Sequence, residues 1–166
     1  MTKRDTEKES QLSLRRKVER FSRDGRYSEA VEILEELVAV RPENQLIWND
    51  LGVVLEEMGE RERALKAFWS GVSLFDPPYP PLLFNMARLQ LGKFLRETDV
   101  ASRKTETAKT ELKEMVRVLN ASLDGDAENI EAHRLLAVVY GLMGRDDLSR
   151  LHITVVGRMQ KEDGRC

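Results

Sequence analysis

The sequence has one cysteine, no strong excess of either charge and no long apolar run. Cys166 is the only cysteine among 166 residues, which excludes an internal disulfide and a metal site built from several thiolates. Lys and Arg number 27 against 29 Asp and Glu, so the chain lacks the basic excess that draws nucleic acid or a membrane surface. No segment approaches the roughly 20 apolar residues that span a bilayer, and the charged first residues are not a secretory signal. We therefore expect a cytoplasmic protein without nucleic-acid or membrane partners.

Patterns that would carry catalysis are also missing. There is no phosphate-cradling glycine loop, no nucleophile elbow and no histidine pair at metal-binding spacing. His133 and His152 fall on neighbouring predicted helices, and we interpret His133 as a structural residue in the place of a packing aromatic. Asp146 and Asp147 open a predicted helix, where carboxylates complement the helix dipole. The sequence predicts a protein that is not an enzyme and binds no cofactor or metal.

What the sequence does contain is internal similarity at a spacing of 34 residues. At this spacing Leu14 superposes on Trp48, Phe21 on Leu55, Gly25 on Gly59, Ala30 on Ala64 and Leu34 on Phe68. A third set follows a further 85 residues along, where Trp48 superposes on His133, Gly52 on Ala137, Gly59 on Gly144 and Ala64 on Ser149. The excess over two periods is 17 residues, which we assign to the proline-rich segment 76–81 and to a segment near 95–110.

Apolar residues recur every three and four positions between these markers, which predicts amphipathic helices. Glycines that follow the apolar stretches fit helix C-termini, and prolines mark helix boundaries. The predicted helices span 10–24, 27–40, 44–58, 61–75, 81–97, 101–124, 128–143 and 146–161. Residues 95–110 either lengthen two helices, which the apolar stripe through Phe94 and Leu95 favours, or form a polar loop. No alternating strand pattern is present, so the fold class is all-α.

The pattern W-x2-L-G-x2-L followed by Gly, Ala and Phe, clearest from Trp48 to Phe68, resembles the tetratricopeptide repeat (TPR). The sequence departs from that repeat at Val18, where a small residue belongs, at Ser149, where alanine belongs, and at Ala127, where proline is preferred. The resemblance implies a right-handed superhelix, an α-solenoid of about four antiparallel helix pairs with an enlarged third repeat. The implied organisation is a flexible N-terminus (1–9), a single domain (10–161) with repeats at 11–44, 45–78, 79–127 and 128–161, and a tail (162–166).

In the TPR family, partner polypeptides bind along the inner wall formed by the first helix of each pair. The resemblance therefore implies a non-catalytic scaffold or adaptor that binds a polypeptide segment there. Projected onto this sequence, the groove residues are Arg15, Glu19, Asn49, Val53, Glu56, Phe84, Arg88, Leu91, Arg134 and Val138. One subclass grips a C-terminal carboxylate with Lys, Asn and Arg, but the acids Glu19 and Asp50 at matching positions would repel it. The mixed apolar and charged wall instead fits an amphipathic segment.

Two other functions stay open. Small acidic repeat proteins serve as dedicated chaperones for exported proteins in type III secretion, and residues 71–84 resemble their middle repeat. The chain could also be a self-assembly module, because the last predicted helix is apolar on more than one side. There we expect Leu148, Ile153 and Val156 to face inward, and Leu151, Val155 and Met159 to face outward and support a homodimer.

Overall fold

A computed structural model describes residues 3–74, 76, 78–99 and 101–163. Within those residues the chain forms helices and no strand, so the all-α prediction is confirmed. In chain order the helices are α1 (Lys3–Arg23), α2 (Tyr27–Val40), α3 (Gln45–Glu57), α4 (Arg61–Ser73), α5 (Pro80–Glu97), α6 (Glu106–Gly125), α7 (Ile130–Leu142) and α8 (Asp146–Asp163), with a 3-10 helix at Ser102–Lys104. They form two compact units, Met1–Pro78 and Tyr79–Cys166. We expected a single domain, and the division falls at the predicted junction of repeats two and three.

Three of the helix pairs turn in the same way at a glycine. Gly25, Gly59 and Gly144 have φ angles of 72°, 87° and 72°, in the left-handed region that glycine adopts without a steric penalty. After each glycine the next N–H bonds to a carbonyl five residues earlier, in the pairs Arg26–Phe21, Glu60–Leu55 and Arg145–Tyr140, at 2.8–2.9 Å. These are the bonds of a Schellman C-cap. The predicted role of the glycines is confirmed.

Asparagine caps the first helix of two pairs. The Asn44 side chain accepts the N–H of Leu46 at 3.1 Å, and the Asn129 side chain accepts the N–H of Ala132 at 2.9 Å. Each bond satisfies a backbone donor that the helix itself leaves unpaired. The caps fix where α3 and α7 begin.

In unit 1, α1 to α4 pack consecutively, each helix against the next. Helices α3 and α4 approach each other closely at Gly52, where a Cβ would lie within 2.6 Å of three ring carbons of Phe68. Phe68 and Ala64 are fully buried, so any shift of the ring would disturb the packed core. The Trp48 indole of α3 donates to the carbonyl of Pro42, in the connection between α2 and α3, at 2.8 Å.

In unit 2, α5, α6, α7 and α8 pack consecutively, and α7 also contacts α5. Helices α5 and α6 have 18 and 20 residues, whereas α2, α3, α4 and α7 have 13 or 14. The end of α6 lies against the start of α5, because the buried Ser122 hydroxyl donates to the Pro80 carbonyl at 2.9 Å. A Cβ at Gly125 would overlap the Pro80 ring, so this contact also requires glycine.

The segment between α5 and α6 combines the two alternatives. Both helices are long, but α6 begins at Glu106 rather than 101, because the Thr105 side chain caps it by accepting the Ala108 N–H at 3.2 Å. The preceding turn is held by Asp99, whose carboxylate accepts the Ser102 N–H at 2.7 Å. The extra residues therefore lengthen both helices and also form a short connection.

The ends of the chain differ from the predicted boundaries. The first helix, α1, begins at Lys3 rather than at the predicted residue 10; the flexibility of residues 1–9 stays a prediction. The helix α8 runs to Asp163, two residues beyond the predicted end. The rest of the expected tail, 164–166, lies outside the described residues.

The contact between Gly52 and Phe68 predicts a clear mutational result. Gly52→Ala should lower the free energy of unfolding by about 1–3 kcal/mol, because the new methyl group displaces a buried ring. Gly141→Ala is the matched control, since its Cβ would meet its nearest neighbour at an ordinary 3.8 Å. That change should be neutral or stabilise by up to about 1 kcal/mol. Urea unfolding followed by circular dichroism measures both, and equal effects would contradict the close packing.

Candidate peptide-binding faces

In unit 1, an ion pair joins the first helices of the two pairs. Arg15 on α1 lies 3.0 Å from Asp50 on α3, measured from Nη2 to Oδ2, and both side chains are only partly exposed. Arg15 and Asp50 therefore mark a shared face of α1 and α3. This is the pairing of first helices that the TPR resemblance implies for a binding wall.

Asp50 sits in a partly desolvated position. Burial raises the pKa of its carboxyl above the ordinary value; the Arg15 guanidinium opposes that shift and the Glu19 charge adds to it. Arg15 is thus already paired with an acid of its own chain, Asp50. The arrangement agrees with the expectation that this face does not grip a partner's C-terminal carboxylate.

Exposed apolar side chains flank the ion pair. Leu12 lies one turn before Arg15 on α1, while Leu46 and Val53 lie one turn on either side of Asp50 on α3. All three are large, exposed hydrophobic residues. We call these five residues the α1/α3 face. It offers apolar contacts around a neutralised ion pair, and Asn49 and Glu56, half-buried on α3, adjoin it.

In unit 2 the predicted groove residues separate into three environments. Phe84 and Arg88 on α5 are half-buried. Leu91 is only 4% exposed and was wrongly assigned to the wall, because α5 has neighbours in both α6 and α7 and its apolar stripe is taken up in the core. Arg134 and Val138 on α7 are exposed.

Arg134 and Val138 help to form a groove between α7 and α8 with a volume of about 600 Å³. We call it the α7/α8 groove. Its lining residues are Arg134, Ala137, Val138, Ser149, Ile153, Val156 and Gln160. The sequence did not predict it.

The outward face of α8 differs from the expectation. Leu151 is 55% exposed as predicted, but Val155 and Met159 are half-buried. Ile153, which we expected to face inward, is 58% exposed. That prediction was wrong because α8 meets α7 through other residues: the Ser149 hydroxyl donates to the Ala137 carbonyl at 2.8 Å, and His152 contacts His133.

The two histidines form a hydrogen-bonded pair that the sequence did not predict. Their Nδ1 atoms are 2.8 Å apart, and His133 Nε2 lies 3.2 Å from the Ala127 carbonyl. Since a carbonyl only accepts, His133 carries its proton on Nε2 and its Nδ1 accepts from His152. The His152 ring also stacks on Tyr140 with centroids 5.6 Å apart. The only available signal was the repeat alignment, which puts His133 in the place of Trp48.

Among the described residues, no three His, Cys, Asp or Glu side chains converge as a metal site would require. None of the described helices combines the length and apolar character needed to cross a membrane.

Comparison with known proteins supports the repeat assignment. Residues 22–68, from the end of α1 into α4, match a tetratricopeptide-repeat family model. The solved structure of TTC0263, a thermophilic TPR protein of Thermus thermophilus, is 17% identical and superposes with a TM-score of 0.67, covering 90% of this chain and 74% of its own. The structure of MamA from MSR-1 (C2) is 15% identical with a TM-score of 0.62, covering 86% and 72%. No curated protein matches the sequence. The resemblance to the TPR family is confirmed, and at these identities the two structures share the fold alone.

The histidine pair predicts how stability depends on pH. Burial, and secondarily the neighbouring His133 charge, lower the pKa of His152 below its ordinary 6.5. The unfolded chain therefore binds a proton at His152 more readily than the folded chain does. The contribution of neutral His152 to the free energy of unfolding is complete above the ordinary pKa and is lost as the pH falls through the pKa of the folded state. Between about pH 7.5 and about pH 5.5, the free energy of unfolding should fall less for His152→Gln than for the wild type. The measurement is thermal or urea unfolding of both proteins across this pH range. If the free energy of unfolding of the wild type and of His152→Gln changed with pH by the same amount, this linkage would be ruled out.

Proposed function

We propose, from the premise that this chain carries tetratricopeptide repeats, that it is a non-catalytic scaffold or adaptor that binds a partner polypeptide segment on its first helices. Tetratricopeptide repeats are in general protein–protein interaction modules, and stacked helix pairs present extended binding surfaces. The proposed ligand is an amphipathic segment with apolar anchors and flanking charges. The near balance of acidic and basic residues supports a protein partner rather than a nucleic acid.

The α1/α3 face supports this proposal. Its apolar side chains, Leu12, Leu46 and Val53, stay exposed although neighbouring residues of the same helices are buried. Between them Arg15 and Asp50 neutralise each other at 3.0 Å, so an apolar side chain of a ligand could approach without leaving an unpaired charge buried. Glu19, an exposed acid next to the pair, would favour a basic residue at the edge of the ligand.

A dedicated chaperone would use similar surfaces, but its client would be one aggregation-prone protein. An adaptor instead recognises short segments that share a pattern. Selection from a random peptide library distinguishes the two, because an adaptor enriches related short sequences.

Panning a phage-displayed library of random peptides against the full chain should enrich sequences with spaced apolar residues. Val53→Glu should weaken binding of an enriched peptide by about fivefold or more, because it puts a charge among the apolar anchors. Val40→Glu is the matched control: it makes the same change at a residue of α2 that is 76% exposed, outside the α1/α3 face, and should leave affinity unchanged.

The affinities are measured by titration calorimetry with a synthetic copy of the enriched peptide. Circular dichroism of both variants checks that helicity is retained. No enrichment on the wild-type chain, or equal losses from the two valine variants, would contradict peptide binding on the α1/α3 face.

A further inference from the structure

The α7/α8 groove has a mainly apolar lining. Val138 on α7 and Ile153 on α8 are exposed large hydrophobic residues, and Val156 forms the floor. The charged residue at its edge, Arg134, is already paired with Glu131 at 2.5 Å. The groove therefore favours a helix with an apolar centre over a charged ligand.

The α8 residues that line the groove form a seam with a definite spacing. Ser149, Ile153, Val156 and Gln160 are separated by four, three and four positions, as are the a and d positions of a coiled coil. The seam has an apolar centre and a polar residue at each end. Reversed end to end, it shows the same order of polar and apolar residues.

That symmetry indicates which helix would bind in the α7/α8 groove. If two copies of α8 lie antiparallel about a two-fold axis midway between residues 153 and 156, Ile153 meets Val156 of the other copy, and Ser149 meets Gln160. Apolar residues then contact apolar ones and polar residues contact polar ones, at all four positions. A two-fold contact requires such a self-complementary surface. We infer that the α7/α8 groove binds α8 of a second copy of this chain, in an antiparallel homodimer.

A glycine beside the seam fits close approach by a second helix. Gly157 lies inside α8, where glycine is less favourable than alanine by roughly 1 kcal/mol. Unlike Gly52, it is not required by a neighbouring side chain, because a Cβ there would meet no described atom within 4 Å. A partner helix packed over the seam would use that space.

This self-association is separate from the proposed peptide binding, which is tested on α1 and α3. Sedimentation equilibrium of the full chain should show a reversible dimer at micromolar concentrations. Ile153→Glu should raise the dissociation constant by about tenfold or more, as charging a central interface residue does. Leu151→Glu is the matched control, since Leu151 is a similarly exposed aliphatic residue of the same helix that lies outside the groove. It should leave the dimer intact.

A monomeric wild type would overturn the inference, and the groove would then belong to another protein's helix or to none. Disruption by Leu151→Glu but not by Ile153→Glu would overturn it too, because the dimer would use another face. Neither result bears on peptide binding by the α1/α3 face.

The antiparallel register has its own test, in a Cys166→Ser background that removes the native thiol. Residues 149 and 160 of one helix are about 16 Å apart, too far for a disulfide, which needs Cα atoms within about 7 Å. Ser149→Cys and Gln160→Cys proteins should each stay uncrosslinked alone under mild oxidation, yet form a disulfide-linked dimer when mixed. Crosslinking of either variant alone, or no product from the mixture, would overturn the register.

Discussion

The bare backbone at Gly52, covered by the Phe68 ring, is the contact on which unit 1 depends. A side chain there would force the fully buried ring to shift or α3 to move away from α4. Because α3 packs against α4 at this contact and also against α2, its remaining side meets α1 through Asp50 and faces solvent. The same packing that closes the helix pair thus leaves Asp50 and Val53 on the α1/α3 face.

The last helix pair of unit 2 meets the same packing requirement with polar groups. Ser149 stands in the repeat position of Ala64 and bonds the Ala137 carbonyl, and His133 stands in the position of Trp48 and bonds His152. Hydrogen bonds between partly buried groups hold the pair as long as both partners stay in the right protonation state. This pair should therefore respond to pH, whereas the α3–α4 contact, which is apolar, should not.

The sequence predicted the helices, their order and the glycine turns, because periodicity and the left-handed preference of glycine act locally. It also superposed Leu34 on Phe68, and both are fully buried, since the 34-residue spacing carries packing information. It could not predict the side of α8 that faces solvent. Apolar residues surround most of that helix, so the exposure of Ile153 depends on where α7 lies and on the Ser149 hydrogen bond. Leu91 was misassigned for a similar reason: α5 packs against both α6 and α7 and Leu91 is buried, which periodicity alone does not reveal.

We propose that the first helices of unit 1 bind a polypeptide while the second helices hold the fold together. Hydrogen–deuterium exchange of the full chain, with and without a library-selected peptide, distinguishes these two roles, because bound helices open less often. We predict slower exchange in α1 (Lys3–Arg23) and α3 (Gln45–Glu57) when the peptide is present. Slower exchange confined to α2 and α4, with α1 and α3 unchanged, would contradict the claim.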